Sequence, residues 1–185
     1  VSWMHSTTGC ACIRRMLASQ CGCMSSRQST ASRPRKRYAA CISAAAFNIG
    51  AIAAIMYLIR DRAERKADEA GTELVGYLAK LPTSRRLDLI SYRLHAFAVP
   101  IWTFTIVAGA IWAQYAWGRF WGWDPKETWS LVTWVVYAGY LHARATAGWR
   151  GKRAAVVAII GVACFWFNFI GINLLVSGLH SYAGI

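Results

Sequence analysis

Residues 96–141 read AFAVPIWTFTIVAGAIWAQYAWGRFWGWDPKETWSLVTWVVYAGYL, and this stretch decides the fold. An uncharged run, Ala96–Tyr115, is followed by a Trp-rich loop that holds every charge of the stretch, and then by a second uncharged run, Trp129–Leu141. At about 1.5 Å of rise per residue, some 20 apolar residues cross the ~30 Å of bilayer hydrocarbon, so the first run is a transmembrane helix and the second continues as another. Pro100 falls in the first turns of the earlier helix, where a missing N–H costs least. Working outward, Cys41–Ile59 (CISAAAFNIGAIAAIMYLI) is uncharged and long enough to span, and Ala154–Val176 makes a further apolar helix. The expected fold is an all-α polytopic membrane bundle of about four transmembrane helices, with an external Trp-rich loop.

The composition agrees. Of 185 residues, 56% are apolar and 10 are Trp, which is too apolar for an ordinary soluble globule. The formal charge of +13 sits in a tail and in short loops, not on one folded face, and this excludes a nucleic-acid binder. If the spans alternate, the basic clusters at 60–66, 85–93 and 144–153 lie on one side, which the positive-inside bias makes the cytoplasmic one. Trp117–Lys126 and His180–Ile185 then share the outer face, the periplasm or its equivalent. Arg60–Lys80 alternates acids and bases and reads as a solvated helical linker closed by Pro82 and Ser84.

Residues 1–40 are rich in Ser, Arg and Cys, carry no Asp or Glu, and show no helical or strand period. They read as an unstructured or non-native segment preceding a membrane domain at 41–185. An organellar transit peptide fits this composition; an out-of-frame start fits it too, and Val1 together with the Arg33–Arg37 cluster on the wrong side of the first span favours the second account. All Cys except Cys164 fall before residue 42. The pairs Cys10/Cys12 and Cys21/Cys23 are spaced too tightly for a usual zinc site, and Cys164, inside an apolar run, reads as a packing residue.

Chemistry concentrates in WGRFWGWDPKETW, residues 117–129, where Trp117, Trp121, Trp123 and Trp129 crowd the end of one span and the start of the next. An aromatic belt at the headgroup layer is one reading. The local grammar adds to it: Asp124 as N-cap, Pro125 at the first helical position and Glu127 as the capping-box acid start a rigid helix. An ordered loop presenting a flat wall of indoles suits a large planar apolar ligand. Capping accounts for Asp124 and Glu127 without a catalytic role.

Four His are present. His5 lies in the doubtful tail, and His95 enters its span from the inner side, where an amphipathic residue snorkels to water. His142 ends the third helix on the inner side and His180 follows the fourth on the outer side, so the two stand about a bilayer apart and cannot ligate one iron. His180, in GLHSYAG, shares the face of the Trp residues, and imidazole is the usual haem-iron ligand where holding is wanted.

The sequence WGRFWGWDPKETWSLVTWVVYAGYLHARATAGWRG, then FNFIGINLLVSGLHSY, resembles the tryptophan-rich signature of the CcsA/ResC family of System II cytochrome c biogenesis. LDLISYRLHAFAVPIWTFTIVAGAIWAQYAWG upstream is similar to that family as well, so the resemblance covers roughly residues 45–185.

This resemblance implies haem b as cargo, a ResB-like membrane partner, and an apocytochrome c carrying C-x-x-C-H as acceptor, in the inner membrane of a bacterium sooner than in a thylakoid. It implies an outer haem site on Trp117, Trp121, Trp123, Asp124 and Trp129 with two outer His ligands, of which His180 matches the second, and an inner site at His142. Where the family carries the first outer His, this chain reads RKRYAACISAAAF and offers none. Two rival readings stand beside it: an electron-transfer cytochrome using His95 with His142, and a transporter or structural subunit whose Trp residues only anchor it among the membrane lipids.

Overall fold

The computed structural model describes residues 34–74 and 76–175. Every element among them is helical: α1 (Pro34–Ala70), a single turn α2 (Tyr77–Lys80), α3 (Ser84–Trp117), α4 (Pro125–Thr146), α5 (Lys152–Trp166), a π-helical turn (Phe167–Gly171) and α6 (Ile172–Leu175). The segments Ala39–Ala70, Ser84–Trp117 and Lys152–Gly171 are each long and apolar enough to cross a membrane. Helix α4, at 22 residues, has the length to do so but is less apolar, because its buried face is polar.

The four long helices form a ring in which α1 packs on α3 and α5, and α4 packs on the same two. The diagonals meet in the centre. Phe47 of α1 stacks flat on Tyr137 of α4, with centroids 4.2 Å apart, and Trp102 of α3 meets Phe165 of α5 edge-on at 5.6 Å. The α1–α3 seam is built from small residues. Ala46, Gly50, Ala53 and Ala54 lie buried on α1, and a Cβ on Gly50 would stand 2.6 Å from the His95 ring, so only glycine lets the two backbones close.

The outside is apolar as well as the inside, unlike that of a soluble bundle, and some polar residues turn inward. Ile42, Ile49, Ile52, Ile55 and Ile59 are exposed on α1, as are Phe97, Phe104, Val107 and Ile111 on α3, while Ser43, Ser91, His95, Thr133 and Asn168 are buried. An outward face this apolar fits a hydrocarbon surrounding.

Helix boundaries differ from expectation in two places. Helix α1 starts at Pro34, before Cys41, and continues without a break to Ala70, because the alternating charges of 60–70 pair along it: Arg60 with Glu64 at 2.8 Å and Arg65 with Asp61 at 3.1 Å. Helix α3 starts at Ser84, not near Ala96, since Leu87, Ser91 and His95 form a helical stripe that buries against its neighbours. Pro100 therefore lies in the helix interior, not its first turns; exposed on the lipid-facing side, it is tolerated as prolines in membrane helices are.

The basic loops gather at one end, as their charge pattern predicts. Arg144 of α4 and Asp88 of α3 form a two-pronged ion pair, 2.7 and 2.9 Å, with both side chains nearly buried. The Arg144 guanidinium also lies 4.7 Å over the Tyr92 ring. Lys152 reaches Asp61 at 3.8 Å, and Glu64 accepts from the Ser84 amide. The Trp-rich loop occupies the opposite end.

Candidate functional site

Helix α3 ends at Trp117 because Gly118 turns the chain into the left-handed region, at φ 71°. Six residues later α4 begins on a full capping box: Asp124 receives the N3 amide while Glu127 receives the Asp124 amide at 3.3 Å, with Pro125 at the first position. Glu127 also accepts from the Gly122 amide at 2.8 Å. One carboxylate thus fixes both the helix start and the loop before it, which is the capping role read from the sequence. Trp123, caught between, holds φ 55°, a conformation that bulky residues rarely adopt, and its indole is 71% exposed. The strain and the exposure fall on the same side chain, a combination characteristic of binding segments.

The indoles do not form one flat wall. They come as three edge-on or tilted pairs: Trp117 with Trp112 at 5.0 Å, Trp121 with Trp123 at 6.2 Å, and Trp129 with Phe167 at 4.3 Å. Edge-to-face contact is the preferred geometry of ring quadrupoles, so a run of closely spaced Trp relaxes into pairs. Beside two of the pairs, at Trp112 and Trp121, lies a crevice of about 240 Å³, also lined by Trp102, Lys126, Glu127 and Ser130 among others. The site therefore includes Trp102 and Trp112, which the sequence hides inside an apolar span; a helical count of i, i+3 and i+10 along α3 would have put Trp102, Thr105 and Trp112 on one face.

The three informative histidines have separate fates. His180 lies outside the described residues. His142 is exposed near the end of α4 that carries Arg144, on the helix face away from the core. His95, expected to snorkel to water, is instead fully buried, 0% exposed, among Phe47, Tyr137 and Tyr140. Its Nδ1 lies 2.7 Å from the Ser91 carbonyl, which can only accept, so Nδ1 carries the proton and Nε2 is a bare lone pair with no hydrogen-bond partner.

His95 belongs to a polar seam. On α4, Ser130, Thr133, Tyr137, Tyr140 and Arg144 recur every three or four residues and face inward, whereas Val135, Gly139 and His142 face out. On α3 the seam is met by Asp88, Ser91 and His95, and at its other end Trp102 Nε1 donates to the Ser130 carbonyl at 3.4 Å. From the sequence alone His95 turns outward to water and Asn168, which donates to Ser130 Oγ at 2.9 Å, passes unmarked, because a lone polar residue in an apolar run carries no sign of the direction it faces.

An all-α bundle with an apolar exterior, displaying a rigidly capped and strained tryptophan loop at the end away from its basic loops, defines a helical membrane protein with an exposed aromatic segment at one end. Residues 38–180 match the family described as "Cytochrome C assembly protein", and the chain belongs to that family. Among similar proteins, the cytochrome c biogenesis protein CcsA of Cyanophora paradoxa is 52% identical over 105 residues, covering 57% of this chain and 33% of that protein. That of Trichormus variabilis is 52% identical over 103 residues, 56% of this chain and 29% of that protein. That of Guillardia theta is 44% identical over 144 residues, 72% and 48% respectively. The chain thus spans between about a third and a half of the length of these relatives.

Proposed function

We propose that this chain takes haem b as cargo and presents it at the outer face of a bacterial inner membrane, for covalent attachment to apocytochrome c. The observation that carries this reading is the Trp117–Trp129 segment: ordered by a capping box, strained at Trp123, and backed by an aromatic crevice. A porphyrin is a large planar apolar ligand, and edge-paired indoles leave ring faces and edges free to receive it. His180 would supply an imidazole ligand to the iron on that surface, and only four residues of chain separate it from Leu175 at the end of α6. His142, exposed at the basic end, serves an inner site that a ResB-like partner completes from outside the bundle.

The reaction adds each thiol of a C-x-x-C-H segment across a haem vinyl group: sulfur bonds one vinyl carbon, the hydrogen goes to the other, and nothing leaves. The protein's contribution is orientation, holding the vinyl edge where both thiols reach it in the correct hand.

The electron-transfer reading requires His95 and His142 on one iron. His95 is walled in by Phe47, Tyr137 and Tyr140 while His142 faces away from the core, so the two imidazoles do not converge.

The test is an absorption spectrum of the purified full-length protein. Haem presentation expects a Soret band that is lost or shifted in His180→Ala and weakened in the Trp121→Phe, Trp123→Phe double variant, with the haem chasing onto added apocytochrome. An unchanged band in both variants would leave the Trp segment as an anchoring belt.

A further inference from the structure

The π-helical turn Phe167–Gly171 joins α5 to α6 beside Trp129, and three successive side chains of it are engaged. Phe167 packs on Trp129, Asn168 donates to Ser130, and Phe169 packs on Phe165 and Trp166. Successive α-helical residues point about 100° apart; a π turn, with more residues per turn, brings neighbours closer to one face. The wider turn is what lets Phe167 reach Trp129 while Asn168 stays buried, at 5% exposure, and reaches the very next residue of α4.

Asn168 is a costly choice. Its Oδ1 is buried without a hydrogen-bond partner, and an unsatisfied amide oxygen inside a membrane-spanning helix is destabilising. Leucine, branched at the same carbon, has no polar atom to leave unpaired there. What leucine lacks is the Nδ2 donor, whose partner Ser130 Oγ donates onward to the Lys126 carbonyl at 2.7 Å, inside the first turn of α4. The Ser130 carbonyl, in turn, receives Trp102 Nε1.

We propose that Asn168 is the positioning residue of the Trp surface: together with the π turn it fixes the Trp129–Ser130 step of α4 against α5, and so sets the angle at which Trp129 is offered to haem. This rests on the reading of the Trp segment as a haem surface. It makes a distinctive demand, because a residue kept for packing should cost stability when replaced, whereas a residue kept for aim should cost only the aim.

The test labels the full-length protein with 5-fluorotryptophan, with the Trp129 resonance assigned by Trp129→Phe. In Asn168→Leu the melting temperature should equal or exceed that of the unsubstituted protein. The Trp129 fluorine signal should shift or broaden while those of Trp117, Trp121 and Trp123 stay in place, and haem affinity should fall roughly fivefold, the worth of about one hydrogen bond. Ser130→Ala, a milder change at the other end of the bond, should reproduce both effects, and the double variant should be no worse than either single one. A Trp129 signal unmoved in both single variants overturns the proposal, as does a moved signal with undiminished haem affinity. If the unsubstituted protein holds no haem at all, it is the haem reading that fails, and the fluorine signal still decides whether Asn168 orients Trp129.

Discussion

Breaking the Asp88–Arg144 pair offers the most quantitative check on how this bundle is assembled. The two bonds, 2.7 and 2.9 Å, join side chains exposed by only 12% and 6%, and they fasten α3 to α4 at the basic end. With charge centres about 4 Å apart and an effective dielectric near 20, the attraction is about 4 kcal/mol. Desolvation cancels much of it, so the pair adds little over a well-packed apolar replacement. Removing one partner is another matter, since the survivor is left charged, nearly buried and unpaired, at about 3 kcal/mol. Arg144→Met should therefore lower the thermal midpoint in detergent by about 6–12 °C, at about 2–4 °C per kcal/mol for a chain of this size. Asp88→Asn should cost less, because Asn keeps an acceptor for Arg144 and for the Gly151 amide that Asp88 also receives. The Asp88→Asn, Arg144→Met double variant should be more stable than Arg144→Met alone, with a coupling of roughly 2 kcal/mol. Midpoints followed by circular dichroism decide it: additive losses, or single losses below about 1 kcal/mol as for solvated surface pairs, would refute the claim that this pair is buried and shared between helices.

Glu127→Ala should cost about 1 kcal/mol by removing half of the capping box, and amide exchange should quicken at Gly122 and Asp124, whose N–H groups it receives; unchanged exchange there would mean that the loop is held by other contacts. Gly50→Ala should destabilise by about 1–2 kcal/mol, since the clash with the His95 ring outweighs the ~1 kcal/mol that alanine adds to a helix; a net gain in melting temperature would show that α1 and α3 are not in close contact. His95→Phe should destabilise by about 1–3 kcal/mol, because a larger ring must fit against Gly50 in a fully buried site, and it should leave any haem spectrum unaltered; a bleached Soret band would revive the two-histidine cytochrome reading.

Much of this was written in the chain itself. Three uncharged runs, the charge alternation of 60–70 and the D-P-K-E cap state their structure locally, because hydropathy over ~20 residues and a four-residue hydrogen-bond pattern need no distant partner. The grouping of basic loops at one end and the Trp segment at the other follows from the same count of spans. The tertiary structure alone decided which way each polar residue of a span faces. His95 reads as a snorkelling residue until Gly50 and Tyr137 close over it, Pro100 reads as a helix start until the Leu87–Ser91–His95 stripe extends α3 behind it, and Asn168 has no visible purpose until the π turn aims it at Ser130. A membrane helix is apolar on every side, so its sequence carries little of the amphipathic signal that orients a soluble helix. Small residues, hydrogen bonds and ring contacts from other helices supply that direction instead, and those exist only once the bundle has formed.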